Sequence, residues 1–143
     1  MSPPQVIYSI GVRFAAGGIG DIAYFGARSL YEHAMLRCLL CGSYRKTDIP
    51  DEYVRGMGLT SRGLRRLALH DRSGYRLSSL HNRLYDRWVR SQLGPCEIFL
   101  SWNGFGLAAL QEANARGALT VVYRASSHPR EQARLMREEH ARW

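Results

Sequence analysis

Four residues near the carboxyl end carry the clearest chemical potential: Arg124, Ser126, Ser127 and His128. A histidine can move a proton near neutral pH, hydroxyls donate and accept hydrogen bonds, and an arginine pairs with phosphate or carboxylate. His128 is therefore the candidate catalytic residue, and Arg124, Ser126 and Ser127 are candidate substrate contacts. They follow the apolar run Val121-Val122-Tyr123 and lead into Pro129-Arg130-Glu131. Ser127 is a natural N-cap, Pro129 suits a first helical turn, and Glu131 adds early negative charge. A strand feeding a helix through such a turn places polar groups at the carboxyl end of a sheet, where open α/β folds bind ligands. A lone histidine is also a common structural residue, and that reading stands beside the catalytic one.

Two other segments have the same strand-to-helix character. Gly17, Gly18, Ile19 and Gly20 open a helix after an apolar strand. Glycines let backbone N–H groups approach a ligand, and a helix N-terminus favours an anion, so these four are candidate anion contacts. Their spacing, Gly-Gly-x-Gly-Asp, is not the dinucleotide fingerprint, and no Walker lysine follows. A plain tight turn is the competing reading. Ser101-Trp102-Asn103-Gly104 ends another strand. Trp102 either stacks on a sugar or packs in the core. Asn103 either contacts substrate or caps the next helix. His33, His70, His81 and His140 are scattered without ligand spacing, so no metal site is expected.

The elements that must position these residues alternate in type. Strands are expected at Gln5 to Ile10, Leu36 to Gly42, Glu97 to Trp102 and Leu119 to Tyr123. Helices are expected at Asp21 to Ala34, Ser61 to Leu69, Tyr75 to Leu93, Leu107 to Ala115 and Glu131 to Arg142. Loops fill Gly11 to Gly20 and Ser43 to Thr60, and Asp21 stands near a helix cap. Strands that are nearly continuous apolar runs, separated by helices, imply an α/β fold: a Rossmann-like parallel sheet with helices on both faces. Cys38 and Cys41 share redox-motif spacing. Inside a strand, residues three apart face opposite sides, so they read as buried structural thiols.

Charge is unevenly distributed. Of the net +8, the segment from Arg55 to Arg90 holds nine arginines against two aspartates. In the helix from Tyr75 to Leu93, Leu77, Leu80, Leu84 and Trp88 form an apolar stripe. Arg76, Arg83, Arg87 and Arg90 fall within about 60° of one another at 100° per residue. An apolar stripe flanked by arginines suits either an interfacial membrane helix or a surface helix with a solvated basic face.

The 143 residues make one domain, 45% hydrophobic. No apolar run approaches the ~20 residues that span a bilayer. The start, Met1-Ser2-Pro3-Pro4, lacks the features of a signal peptide. Three cysteines, an odd count, fit a reduced cytoplasmic setting. The last helical run reaches Trp143 without a Gly, Asn or Pro stop, as expected for the N-terminal part of a longer chain.

Residues 99–143 resemble the N-terminal domain of bacterial family 4 glycosyltransferases. The resemblance rests on Arg124, Ser126, His128, Gln132, Glu138 and Glu139, together with Gly17 to Gly20 and Asp21. Tyr123 and Ala125 stand where members often carry Glu and Gly. The resemblance implies retaining sugar transfer by a GT-B architecture of two Rossmann-like domains, of which residues 1–143 are the acceptor-side one and a C-terminal donor-binding domain is missing. It implies a nucleotide sugar as co-substrate, no tightly bound cofactor, and a glycan, lipid-linked or polysaccharide acceptor. His128 would line the cleft near the transferred sugar, and the backbone at Gly18 and Ile19 would approach phosphate. Through Arg76, Arg83, Arg87 and Arg90 the domain would sit peripherally on the anionic inner face of the membrane. Two alternatives stay open: a non-catalytic flavodoxin-like ligand-binding or regulatory module, and a basic nucleic-acid-binding domain. The ligand-cleft character of the chain makes nucleic acid the less expected partner.

Overall fold

The computed structural model describes residues 2–68, 76–124 and 129–142. Val6–Phe14 forms β1, Ile19–Glu32 α1 and Leu36–Tyr44 β2. A 3₁₀ turn at Asp51–Tyr53 leads into β3 at Val54–Gly56. Leu59–Ala68 is α2, Arg76–Gln92 α3, Ile98–Trp102 β4, Leu107–Ala115 α4, Leu119–Tyr123 β5 and Pro129–Arg142 α5. The strands form one all-parallel sheet in the order β3-β2-β1-β4-β5. This is the α/β, Rossmann-like arrangement, and its order is that of the dinucleotide fold rather than of flavodoxin.

Strand alternation sorts the core into two layers. Tyr8, Ile10, Leu39 and Cys41 face α1 and pack with its Ala23 and Ala27. Ile7, Leu40 and Phe99 face the other way and pack with Tyr85 and Val89 of α3 and Ala109 and Ala113 of α4. Small alanines let the helices lie close to the pleated surface. Cys38 and Cys41 fall in opposite layers, as the period of two requires. Both thiols are buried, and burial pushes Cys41 up to about 12.

From β1 the chain winds outward through α1 to β2 and β3, then crosses back to β4 and β5. The crossovers diverge at β1 and β4, which makes their carboxyl ends the switch point of the sheet. In doubly wound folds the ligand crevice lies outside those ends.

Three expectations are corrected. β1 runs on through Gly11 to Phe14, a stretch expected to be loop, because Phe14 is fully buried and pairs with Tyr44. β3 and the 3₁₀ turn lie in a segment also expected to be loop. A three-residue strand is too short to show a hydrophobic period. The core-facing line of α3 is His81, Tyr85 and Val89, not Leu77, Leu80, Leu84 and Trp88. Leu80 is exposed, while Leu77, Leu84 and Trp88 are half-buried at the flank. Arg76, Arg83, Arg87 and Arg90 are exposed. No described helix is long and apolar enough to cross a membrane.

Candidate functional site

The loop after β1 is shaped by its glycines. Gly18 has φ +55°, the left-handed region, and is the N-cap residue of α1. A Cβ at Gly20 would stand 2.3 Å from the Arg13 carbonyl oxygen, so only glycine fits there. Asp21 is not the cap. It lies in the first turn, where its Oδ1 accepts the Gly17 N–H at 3.0 Å. The loop therefore already holds one carboxylate, and around Gly17 and Gly18 an added Cβ would meet open space.

The loop after β4 is built differently. Asn103 donates its backbone N–H to the Tyr123 carbonyl at 2.9 Å, which extends the β4–β5 ladder by one rung. Its side chain does not cap α4. That task falls to Asp86 of α3, whose two carboxylate oxygens accept the Ala108 and Ala109 N–H groups, each at 2.9 Å. A carboxylate at a helix N-terminus meets both orphan donors and the helix dipole. It also locks α3 to α4.

Trp102 is 4% exposed and belongs to the layer facing α1. Its indole N–H donates to the Tyr8 hydroxyl at 2.7 Å, and its ring lies 4.5 Å from that of Tyr123. Burial pushes the Tyr8 phenol up to about 12. Most of the indole is committed to packing, which leaves little ring face for stacking on a sugar.

Between α3, the β4–α4 loop, α4 and β5 lies a cleft of about 610 Å³. Ser79, Asn82 and Asp86 make a polar wall, Phe105, Leu110 and Val122 an apolar one, and Arg83 adds a cation. Trp102 and Asn103 border it; Gly17 to Gly20 do not. The Phe105 ring sits over Gly11, where a Cβ would meet it at 2.2 Å, and packs edge-on to Tyr85 at 6.3 Å.

Beneath the cleft is a buried polar layer that sequence reasoning missed. Tyr85 donates its hydroxyl to the Leu40 carbonyl at 2.8 Å and lies 3.0 Å from Ser9 Oγ. Burial holds this phenol well above its ordinary value. The His81 ring is stacked on Tyr85, with Nε2 2.8 Å from the buried Ser61 Oγ. The signal was present as the spacing of four that links His81, Tyr85 and Val89. The leucine stripe beside it looked more hydrophobic.

Arg124 is half-buried, and its Nε finds no hydrogen-bond partner among the described residues. Ser126, Ser127 and His128 lie outside the described residues. Glu138 and Glu139 pair with Arg134 and Arg142 on the exposed surface of α5. Among the described residues no cluster of His, Cys, Asp or Glu is arranged to hold a metal ion. Comparison with protein-family models, with curated proteins and with solved structures found no match. The cleft has the character of a small-molecule site: concave, largely apolar, with a few convergent polar groups.

Proposed function

We propose that this chain is the acceptor-side, N-terminal half of a retaining sugar transferase of GT-B architecture. It moves a hexose from a nucleotide sugar to an envelope, lipid-linked or polysaccharide acceptor. The observation that carries the reading is the strand order β3-β2-β1-β4-β5, which sets the glycine loop after β1 and the Asn103 loop after β4 on either side of the switch point. The motif from Arg124 to His128 continues directly from the end of β5.

In this reading the donor phosphates meet the N–H groups of Gly18 and Ile19, since Asp21 already takes that of Gly17. Ser79, Asn82 and Asp86 hydrogen-bond acceptor hydroxyls in the cleft, while Phe105, Leu110 and Val122 cover the apolar face of a sugar ring. His128 is the catalytic residue of this reading, and Arg124, Ser126 and Ser127 are its substrate contacts. Arg76, Arg83, Arg87 and Arg90, which are all exposed, draw the domain to an anionic membrane. Vesicle co-sedimentation tests that last point: binding falls with added salt, and equal binding to neutral and anionic vesicles would overturn it.

The main test is a transfer assay on the 143-residue chain, alone and joined to the polypeptide encoded downstream of Trp143. Positioning donor and acceptor together is worth ~7–11 kcal/mol of barrier, and one half of a cleft holds one reactant. The short chain alone gives no useful turnover, the joined protein does, and His128→Ala lowers it. Robust transfer by the short chain overturns the two-domain reading. Ligand binding without turnover in the joined protein favours the non-catalytic module.

A further inference from the structure

The wall that α3 gives to the cleft consists of Ser79, Asn82, Arg83 and Asp86. Spaced at i, i+3, i+4 and i+7, they share one helix face. What this wall offers a ligand is decided by groups behind it. The amide oxygen of Asn82 lies 3.3 Å from His81 Nδ1. An amide oxygen only accepts, so Nδ1 carries the proton. In the neutral imidazole Nε2 is then the acceptor, and it takes the hydroxyl proton of the buried Ser61 at 2.8 Å. The relay Ser61–His81–Asn82 holds the amide oxygen toward His81 and leaves the Asn82 NH2 group, with its two donors, for the cleft.

Charge in the cleft is left over in the same sense. Asp86 is the only carboxylate among the described lining residues, and both its oxygens already accept N–H groups at the α4 N-terminus, which answers its charge. The Arg83 guanidinium is exposed, and no carboxylate among the described residues pairs with it. We propose that the cleft selects ligands bearing an oxyanion, a carboxylate or a phosphate, held by the Arg83 guanidinium and the Asn82 NH2 group, with His81 as the positioning residue. An oxyanion presents only acceptors and returns the Arg83 charge, and charge-assisted hydrogen bonds are about twice as strong as neutral ones. A neutral hydroxyl has no charge to return. For the rest of the ligand the inference rests on the sugar-transfer reading, under which the acceptor is a uronic acid or a sugar phosphate rather than a neutral sugar.

The test is an NMR titration of the 143-residue chain with glucuronate, glucose 6-phosphate, glucose and inorganic phosphate, read at the Asn82 side-chain amide and the Arg83 Nε–H. At least one of the two anionic sugars shifts both signals and binds about tenfold tighter than glucose, and which one does so tells carboxylate from phosphate. Arg83→Gln and Asn82→Asp each weaken that binding about tenfold. The nitrogen-15 spectrum of the His81 ring, which needs no variant, shows Nδ1 protonated and Nε2 bare. Inorganic phosphate that binds as tightly as the sugar phosphate supports the oxyanion site and counts against the sugar-acceptor reading. Glucose that binds as tightly as both anionic sugars overturns the inference and leaves the sugar-acceptor reading standing. No response at either signal to any of the four probes overturns the inference. So does the opposite His81 tautomer, which would turn the Asn82 amide round.

Discussion

The two ends of the sheet are finished in opposite ways. At one end, β3 is only three residues long, places the charged Arg55 outward and follows Pro50 and a 3₁₀ turn. Arg55 also reaches Gln92 of α3 at 3.5 Å. Short length and charge are standard protections of an edge strand. At the other end, β5 is longer, uncharged and exposed on both faces. Between them, β1 and β2 are buried on both sides by α1 and by α3 with α4. Stability is therefore concentrated in the β1–β2 half, while the β4–β5 half holds the cleft and the open edge. A ligand site needs surface that the core does not consume.

The strongest challenge to that contrast is Tyr85→Ala. It empties a fully buried site under β1 and β2 and strands Ser9 Oγ, and the expected loss is about 3–5 kcal/mol in urea unfolding. A loss below that of a surface change would refute the division of labour.

Alkaline titration comes next. The folded-state pKa of Tyr8 is raised from 10.0 to about 12, and that of Tyr85 is raised too, both mainly by burial. A raised phenol pKa means that the unfolded chain releases its proton first. Stability is thus intact below pH 10.0 and is lost as pH climbs toward 12. Absorbance at the tyrosinate band should show both phenols ionising above pH 10.0 in the folded chain.

Trp102→Phe keeps the ring bulk but leaves the Tyr8 hydroxyl without its donor, at a cost of about 1–3 kcal/mol. The Tyr8 phenol should also ionise at still higher pH, since that hydrogen bond lowers its pKa. Asp86→Ala removes the cap that α3 provides to α4 and should cost about 0.5–2 kcal/mol, with amide exchange quickening first at Ala108 and Ala109. At the open edge, Leu119→Ser should change stability by no more than about 0.5 kcal/mol, measured at dilution. A large effect there would mean that β5 is covered in solution even when dilute.

The sequence by itself determined the fold class and most of the elements. The apolar runs Leu36-to-Gly42 and Leu119-to-Tyr123 are strands because their hydrophobicity is continuous, and α4 ends at Ala115 just before Gly117, which takes a left-handed φ. It also placed Cys38 and Cys41 on opposite faces, since the strand period is local. The loops bearing Gly18 and Asn103 were legible as strand-to-helix junctions for the same reason. What tertiary structure decided were the choices between equivalent local solutions. Both the leucine stripe and the His81–Tyr85–Val89 line of α3 satisfy helical spacing, and the buried polar layer of Ser9, Ser61 and the Leu40 carbonyl selects the second. Asn103 and Asp86 are both competent caps, and only the approach of α3 to α4 gives the task to a residue 22 positions away. Phe105 packs over β1 because Gly11, remote in sequence, leaves room for its ring. Local sequence fixes what a segment can do, and long-range packing and hydrogen-bond satisfaction fix which of those options it takes.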